Sequence, residues 1–468
     1  MFDKDKGRNL LSENYLLLSL IIGIALISIS IGPFQNWDTI YEYQATLSVL
    51  KWGMPYVNAA RDYAANFGYI VNQPPVGFYI EALFFRIFGD SMSFGTLLMT
   101  LFGLGSILFV YLTGKEMYSK KIGLVAAALF ALSPWELVLT RSFLIDALYL
   151  FPTLVCLYFG ILAVKKDSVK MALASGVFFA VAFLIKYFAI FILIPLLIYY
   201  VYSKPENIKR TIAKLTVFAL PVLVCSFLWY QVILGQNLLY LFHHSDFAFL
   251  NDPGVVPTYT FVATFLWNES LGYFFVVAVA LSLVLYFVFR KELPKAYVFD
   301  LICLGTIIPI VIVNMILGVG LDLKAPYNNA VKYDYVALPF FCLLGASLVG
   351  KCQTLINSAK MKTKLMKQLI LATVAVSVIL VAATLVVDVI SANTLSLENY
   401  LEFRMRLNQE GGYSLFNYTP ITQGSLLMYI QYVGFVVLLS GLLWASRCKL
   451  YGYLNRWIQG KNIKANAK

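Results

Sequence analysis

Two carboxylates, Asp38 and Glu42, stand four residues apart in the stretch Trp37-Asp38-Thr39-Ile40-Tyr41-Glu42. If Tyr41 to Leu50 forms a helix, they share one face with Asp38 near its N-terminus. Asp38 then fits two roles equally, an N-cap for that helix or a general base that takes a proton from a hydroxyl nucleophile. A second acid, Asp146, follows Thr140-Arg141-Ser142, which places cation and anion about one and a half helical turns apart at the start of an apolar run. Lys332-Tyr333-Asp334-Tyr335 repeats that mixture further on. A phosphate approaching these residues would find Arg141, Lys186, Lys324 and Lys332, and guanidinium and ammonium groups both suit that ligand. Each cation also reads as an interfacial anchor, with the neighbouring tyrosines as an aromatic belt. Gln73 precedes Pro74-Pro75, which stiffen the backbone and either hold Gln73 as a rigid polar donor or simply start the next helix.

Other chemistries find little footing. The two histidines, His243 and His244, are adjacent, and adjacent side chains seldom chelate one ion, so a histidine-built metal site is not expected. A divalent metal as an assistant stays open. Walker loops, dinucleotide-binding glycines and nucleophile elbows are missing from any suitable context. The six cysteines (156, 225, 303, 342, 352 and 448) show no paired spacing, so neither a disulfide framework nor a metal knuckle is implied. Asn268-Glu269-Ser270 and Asn417-Tyr418-Thr419 are glycosylation sequons.

What must position these residues is a membrane fold. The chain has 468 residues, 60% hydrophobic and 13% charged, with apolar runs recurring every few tens of residues. The fold class is an all-α polytopic membrane protein, with bilayer-length runs starting at Tyr15, Met92, Ile122, Phe143, Met171, Phe188, Thr211, Leu271, Val298, Tyr335, Leu369 and Ser425. That gives about twelve transmembrane helices. The first run lacks a cleavage site and reads as a retained span. Val76 to Phe88 is apolar but short and carries Glu81 and Arg86, as expected of a helix lying at the interface. One integral membrane domain over 1–468 is expected, with a first outer loop at 33–91 and a basic cytoplasmic tail at 447–468.

The net charge of +12 does not imply nucleic acid, because the basic residues cluster where the positive-inside rule would put them. With both termini cytoplasmic, the clusters at Lys115 to Lys121, Lys165 to Lys170, Lys204 to Lys214, Arg290 to Lys295 and Lys351 to Lys367 all fall inside. The same parity sends 33–91, the turn from Arg141 to Asp146, the break at Lys186-Tyr187, and the segments 235–270, 320–334 and 392–424 to the outer side. Asp146 and Lys186, at the ends of apolar runs, are expected at a water-facing rim there. A first outer loop this long suggests a working site at the membrane surface.

Trp37-Asp38 followed by Gly53, then Pro74-Pro75-Val76-Gly77-Phe78-Tyr79 running to Ile87-Phe88-Gly89, resembles the first outer loop of a membrane glycosyltransferase superfamily. That superfamily, of GT-C fold, contains the protein O-mannosyltransferases and lipid A aminoarabinose transferases. Leu132-Ser133-Pro134, Arg141 with Asp146, Leu184-Ile185-Lys186, and Lys332-Tyr333 ahead of Leu338-Pro339 continue the likeness in family order over most of residues 15 to 350. The resemblance implies transfer of a hexosyl or pentosyl sugar, with inversion, from a polyprenyl (dolichyl-type) phosphate to a protein hydroxyl or a lipid on the outer face of the plasma membrane. Asp38 matches the first acid of the family's Asp-Glu pair, taken as the base, and Asp146 matches the second acidic landmark. Arg141, Lys186 and Lys332 with Tyr333 lie where donor phosphate is bound. Two positions depart from the pattern: Thr39 replaces a glutamate, for which Glu42 is the substitute, and Gln73 replaces a lysine or histidine at the presumed phosphate site.

The residues support the same class at one point. An outward-facing enzyme has no access to cytosolic nucleotide sugars, so its donor arrives in the membrane. Such a donor needs an acid for the acceptor and cations for the leaving phosphate. The expected partners are therefore a polyprenyl-phosphate-linked sugar, a protein or lipid acceptor and membrane lipids, without nucleic acid. The competing reading is a transporter of solutes or lipid-linked substrates, which would carry mid-membrane charges and matched broken helices. An assembly scaffold is a third.

Overall fold

Hydroxyl and amide side chains set where the apolar runs become helices. Ser91, Ser119 and Ser168 each accept the backbone N–H three residues on, and Asn207 does the same for Arg210 at 3.1 Å. These caps satisfy amides that a helix start leaves without partners. The computed structural model describes residues 4–30, 34–35, 37–55, 73–203, 207–233, 273–289, 291, 293, 295–317, 334–357 and 417–418, with single positions between 430 and 440.

The chain divides into two units, residues 1–32 with 420–468 and residues 33–419. The first contains helix α1 (Lys4–Ser30), whose Tyr15 hydroxyl lies 3.4 Å from Ser440 Oγ. The second contains α2 (Trp37–Trp52), α3 (Val76–Phe88), α4 (Met92–Met117), α5 (Lys120–Ala131), α6 (Pro134–Thr140), α7 (Ile145–Lys165), α8 (Val169–Ile185), α9 (Leu193–Tyr202), α10 (Ile208–Phe227), α11 (Tyr273–Val288), α12 (Phe299–Leu317) and α13 (Leu338–Asn357). The described strands are one short antiparallel pair, Phe34 opposite Tyr418 and Gln35 opposite Asn417. It joins two segments that charge parity assigns to the same outer side.

Among the described residues, four helical segments are long and apolar enough to cross a membrane: Met92–Met117, Ile145–Lys165, Ile208–Ile233 and Tyr335–Cys352. Five shorter apolar ones, Asn14–Ile29, Val169–Ile185, Tyr187–Tyr202, Val279–Val288 and Phe299–Ile310, stand on further expected spans. The protein is thus a helical, polytopic membrane protein, while a count of twelve spans is not established. The run from Ile122 to Leu139 breaks into α5 and α6, where Leu132-Ser133-Pro134 interrupts it with a proline at the start of α6. The runs from Leu369 and Ser425 lie outside the described residues or nearly so.

Helix α7 is the hub, packed on α4 and α8 with most of its surface buried. Helix α10 packs on α8 and otherwise keeps its apolar side chains exposed, as a lipid-facing helix would. Gly176 makes the α8–α10 approach: a Cβ there would collide with the backbone of Phe218. Lys351, the first residue of a basic cluster expected on the cytoplasmic side, is fully buried on α13. Its ammonium bonds Ser282 O at 2.6 Å, Ser282 Oγ at 2.7 Å and the buried Asp300 carboxylate, which also accepts the Tyr118 hydroxyl at 2.8 Å. Sequence spacing hid this pairing, because Lys351 begins a basic run while its ion-pair partner lies on another helix.

Candidate active site

Helix α3 starts where the double proline ends. Pro74 and Pro75 are buried, Pro75 takes the N-cap position, and Gly89 stops the helix with φ 107° while its N–H bonds Phe85 O at 2.8 Å. Its buried stripe is Gly77, Phe78, Glu81, Ala82 and Phe85. Gly77 lets the stripe press on two other helices: a Cβ there would stand 3.2 Å from Ile145 Cγ2 and 3.3 Å from Ile185 Cγ2. Those isoleucines directly precede Asp146 and Lys186.

Asp146 and Lys186 form an ion pair at 2.6 Å, with side chains 0% and 6% exposed. The expected water-facing rim is therefore corrected to a buried pair: α8 ends at Lys186, whose backbone is extended, and the ammonium lies 5.8 and 5.9 Å from the ring centres of Tyr149 and Phe188. The second Asp146 oxygen, Oδ2, is buried and accepts no hydrogen bond among the described residues. Helix α7 has no local side-chain cap. Glu42 supplies one from α2, its Oε2 accepting the Ile145 N–H at 2.9 Å. Two carboxylates thus sit at the positive end of the α7 dipole, where negative charge is stabilised.

Asp38 lies one turn before Glu42 on α2. The helix already begins at Trp37, so Asp38 is its second residue and not its N-cap; the side chain of Asp38 lies outside the described set. Arg141 ends α6 and is buried, its Nη1 3.4 Å from Thr100 Oγ1. Gln73 is half-buried beside the prolines, and its Oε1 is buried without a hydrogen bond among the described residues. Lys332 and Tyr333 lie outside the described residues. The structure therefore brings Glu42, Asp146 and Lys186 together around the start of α7, with Arg141 in the turn leading into it. Among the described residues, no three His, Cys, Asp or Glu side chains are grouped to hold a metal ion.

Two further acids sit here that the sequence reading did not single out. Glu136 on α6 is buried and accepts the hydroxyl of Tyr335. Glu81 on α3 is fully buried, and its Oε2 lies 2.5 Å from Thr46 Oγ1 on α2. Burial pushes the Glu81 carboxyl up to about 8, against the lowering effect of the Thr46 hydrogen bond. A signal for Glu81 existed: it falls four residues after Gly77 and four before Phe85, on the apolar stripe of a 3.6-residue period.

Comparison with known proteins bears on what such a site serves. Residues 72–230, which include Gln73, Glu81, Arg141, Asp146 and Lys186, match the family model described as dolichyl-phosphate-mannose-protein mannosyltransferase. The expected resemblance to membrane glycosyltransferases is borne out. Two putative mannosyltransferases of Bacillus subtilis are similar, YkcB at 28% identity over 46% of this chain and 31% of its own length, and YycA at 26% over 31% and 21%. The chain thus spans about a third or less of the curated relatives it matches. In fold, it is similar to ArnT from Cupriavidus metallidurans bound to undecaprenyl phosphate, with a TM-score of 0.53 at 14% identity, covering 92% of this chain and 77% of that one. The apo form of ArnT gives a TM-score of 0.54 with the same identity and coverage. The GT-C fold expected of the chain is therefore shared with a solved member of that class.

Proposed function

We propose that this protein is a glycosyltransferase that moves a sugar from a polyprenyl phosphate to a hydroxyl of a protein or lipid acceptor, with inversion, at the outer face of the plasma membrane. The observation that carries the reading is the junction at the start of α7. There Glu42 ties the helix that bears Asp38 to the amide preceding Asp146, and Asp146 holds Lys186. The matched mannosyltransferase model over residues 72–230, which hold Asp146 and Lys186, supports it.

In this reading Asp38 accepts the proton of the acceptor hydroxyl as its oxygen attacks the anomeric carbon from the side opposite the phosphate. The bond between that carbon and the phosphate oxygen breaks, and the lipid phosphate leaves as an anion. Lys186 and Arg141, with Lys332 and Tyr333, stabilise the charge on that leaving group, and Gln73 donates to it. Asp146 orients Lys186, and Glu42 stands in for the glutamate of the family's Asp-Glu pair while fixing α2 on α7. The distribution of basic residues supports cytoplasmic termini. The transporter reading expects ionisable groups at mid-membrane in matched halves; the pair on which the site is built lies instead at the ends of two apolar helices.

The test supplies membranes containing the protein with radiolabelled polyprenyl-phosphate sugars and compares wild type with Asp38→Asn. Transfer by wild type that drops at least a hundredfold in the variant is expected, the lower range for loss of a general base being about 10². Equal transfer by both would remove Asp38 from its role.

A further inference from the structure

Glu81 is a buried acid with no cation paired to it among the described residues. Helix α3 packs on α2, α4, α7 and α8. The ionisable groups those helices bring nearest the site are committed elsewhere. Glu42 on α2 accepts the Ile145 amide, Tyr43 on α2 donates to Asp90 O at 2.6 Å, and Lys186 after α8 binds Asp146 on α7. Tyr41 and Lys51 also lie on α2, Lys115 and Glu116 at the far end of α4, and Arg86 on α3 itself is exposed. Among the described residues Thr46 is the sole hydrogen-bond partner of Glu81, and Glu81 Oε1 is sealed without one.

Thr46 has one hydroxyl proton and two acceptors in reach, Glu81 Oε2 at 2.5 Å and the backbone oxygen of Glu42 at 3.0 Å. An ionised Glu81 would have that proton as its one hydrogen bond, leaving Oε1 buried with none. A neutral Glu81 avoids that cost: its own O–H donates to Thr46 Oγ1, and Thr46 donates to Glu42 O, which the helix ladder already engages. Every proton in the chain Glu81 to Thr46 to Glu42 then has a place.

We infer that Glu81 is a positioning residue that works as a neutral acid, holding α2, and with it Asp38 and Glu42, in register on α3 through Thr46. The inference rests on the proposed role of Asp38. Ionising Glu81 puts an uncompensated charge into a sealed contact and breaks the chain, so α2 loses its register and transfer declines on the alkaline side. The sign follows from a carboxyl raised from 4.5 to about 8: its contribution to stability is full below pH 4.5, erodes as pH rises, and is gone above about 8.

Two measurements on the purified full-length protein test this, one of them independent of activity. Melting without substrate should fall as pH rises from 5 to 8.5 in wild type and lose that slope in Glu81→Gln, whose amide N–H can replace the acid O–H at every pH. In transfer assays Glu81→Gln should retain wild-type kcat at pH 7 and keep it at pH 9, where wild type falls to about a tenth of its plateau as the neutral fraction drops tenfold per unit. Thr46→Val should lose activity at both pH values with KM for the donor unchanged. A Glu81→Gln variant with the wild-type melting slope, or one inactive at pH 7 while wild type is active, would overturn the inference. Absence of transfer by wild type with every polyprenyl-phosphate sugar would overturn the proposed function instead, and the melting slope would still decide the hydrogen-bond chain.

Discussion

Replacing Lys186 by methionine keeps most of the side-chain volume and removes the charge that balances Asp146. The aspartate is fully buried, its Oδ1 loses the 2.6 Å ammonium bond, and its Oδ2 already accepts no hydrogen bond among the described residues. Breaking a buried pair in this way costs about 3–5 kcal/mol, because the remaining charge is left uncompensated. Adding Asp146→Asn removes that charge, so the double variant should recover most of the loss, leaving a coupling of several kcal/mol between the two sites. Melting can be followed by a thiol-reactive fluorophore, since Cys156, Cys303, Cys342 and Cys352 are free and buried while Cys225 gives a constant exposed background. At about 2 °C per kcal/mol for a large chain, Lys186→Met should melt roughly 6–10 °C lower than wild type. Sugar transfer should be lost in both single variants and in the double one, which separates stability from catalysis. A Lys186→Met protein that melts with wild type would refute the burial argument, and a double variant that transfers sugar at the wild-type rate would refute the role of the pair.

The Asp300–Lys351 pair calls for the same logic away from the site: Lys351→Met should cost about 3–5 kcal/mol in the melting assay by stranding Asp300, with donor KM unchanged in protein that remains folded. Gly77→Val should lower transfer more than it lowers melting temperature, because the new side chain meets Ile145 and Ile185 and lifts α3 from the ion pair; equal melting and equal transfer would contradict this packing. Gly176→Val should instead destabilise the fold, since the collision there is with the backbone of Phe218 on α10. On the opposite loop, the Lys214 hydrogen bond holds the Asp167 carboxyl below its usual 3.8. That contribution is present above pH 3.8 and lost as pH falls through the lower folded value, so Asp167→Asn should flatten the acid limb of the melting curve.

Apolar periodicity was enough to place α4, α7, α8 and the short α3, because each is a long or strongly patterned run, opened by a serine in α4 and α8 and by a proline in α3. Breaks within runs were harder to read. Pro134 divides one expected span, whereas the break expected at Lys186-Tyr187 is present and leads into 3₁₀ helix over Tyr187–Ile192. Asp146 and Lys186 were legible as residues, but their burial was not, since sequence gives depth along a helix and not what folds over its end. Lys351 and Asp300 lie 51 positions apart, and Glu136 and Tyr335 lie 199 apart. Pairings at such separation are set by tertiary packing, which a single sequence does not display. Glu81 is the instructive omission, because its stripe position was readable and its charge suggested solvent instead.

The amide that begins α7 is capped by a carboxylate made 103 residues earlier. A local serine or aspartate would have fixed that first turn as soon as it left the ribosome. Here the first turn of α7, the hub of the bundle, has its cap only where α2 docks against it. Biogenesis and function then converge on one contact: a chain that fails to bring its first loop home lacks both a finished α7 and the proposed reactive centre.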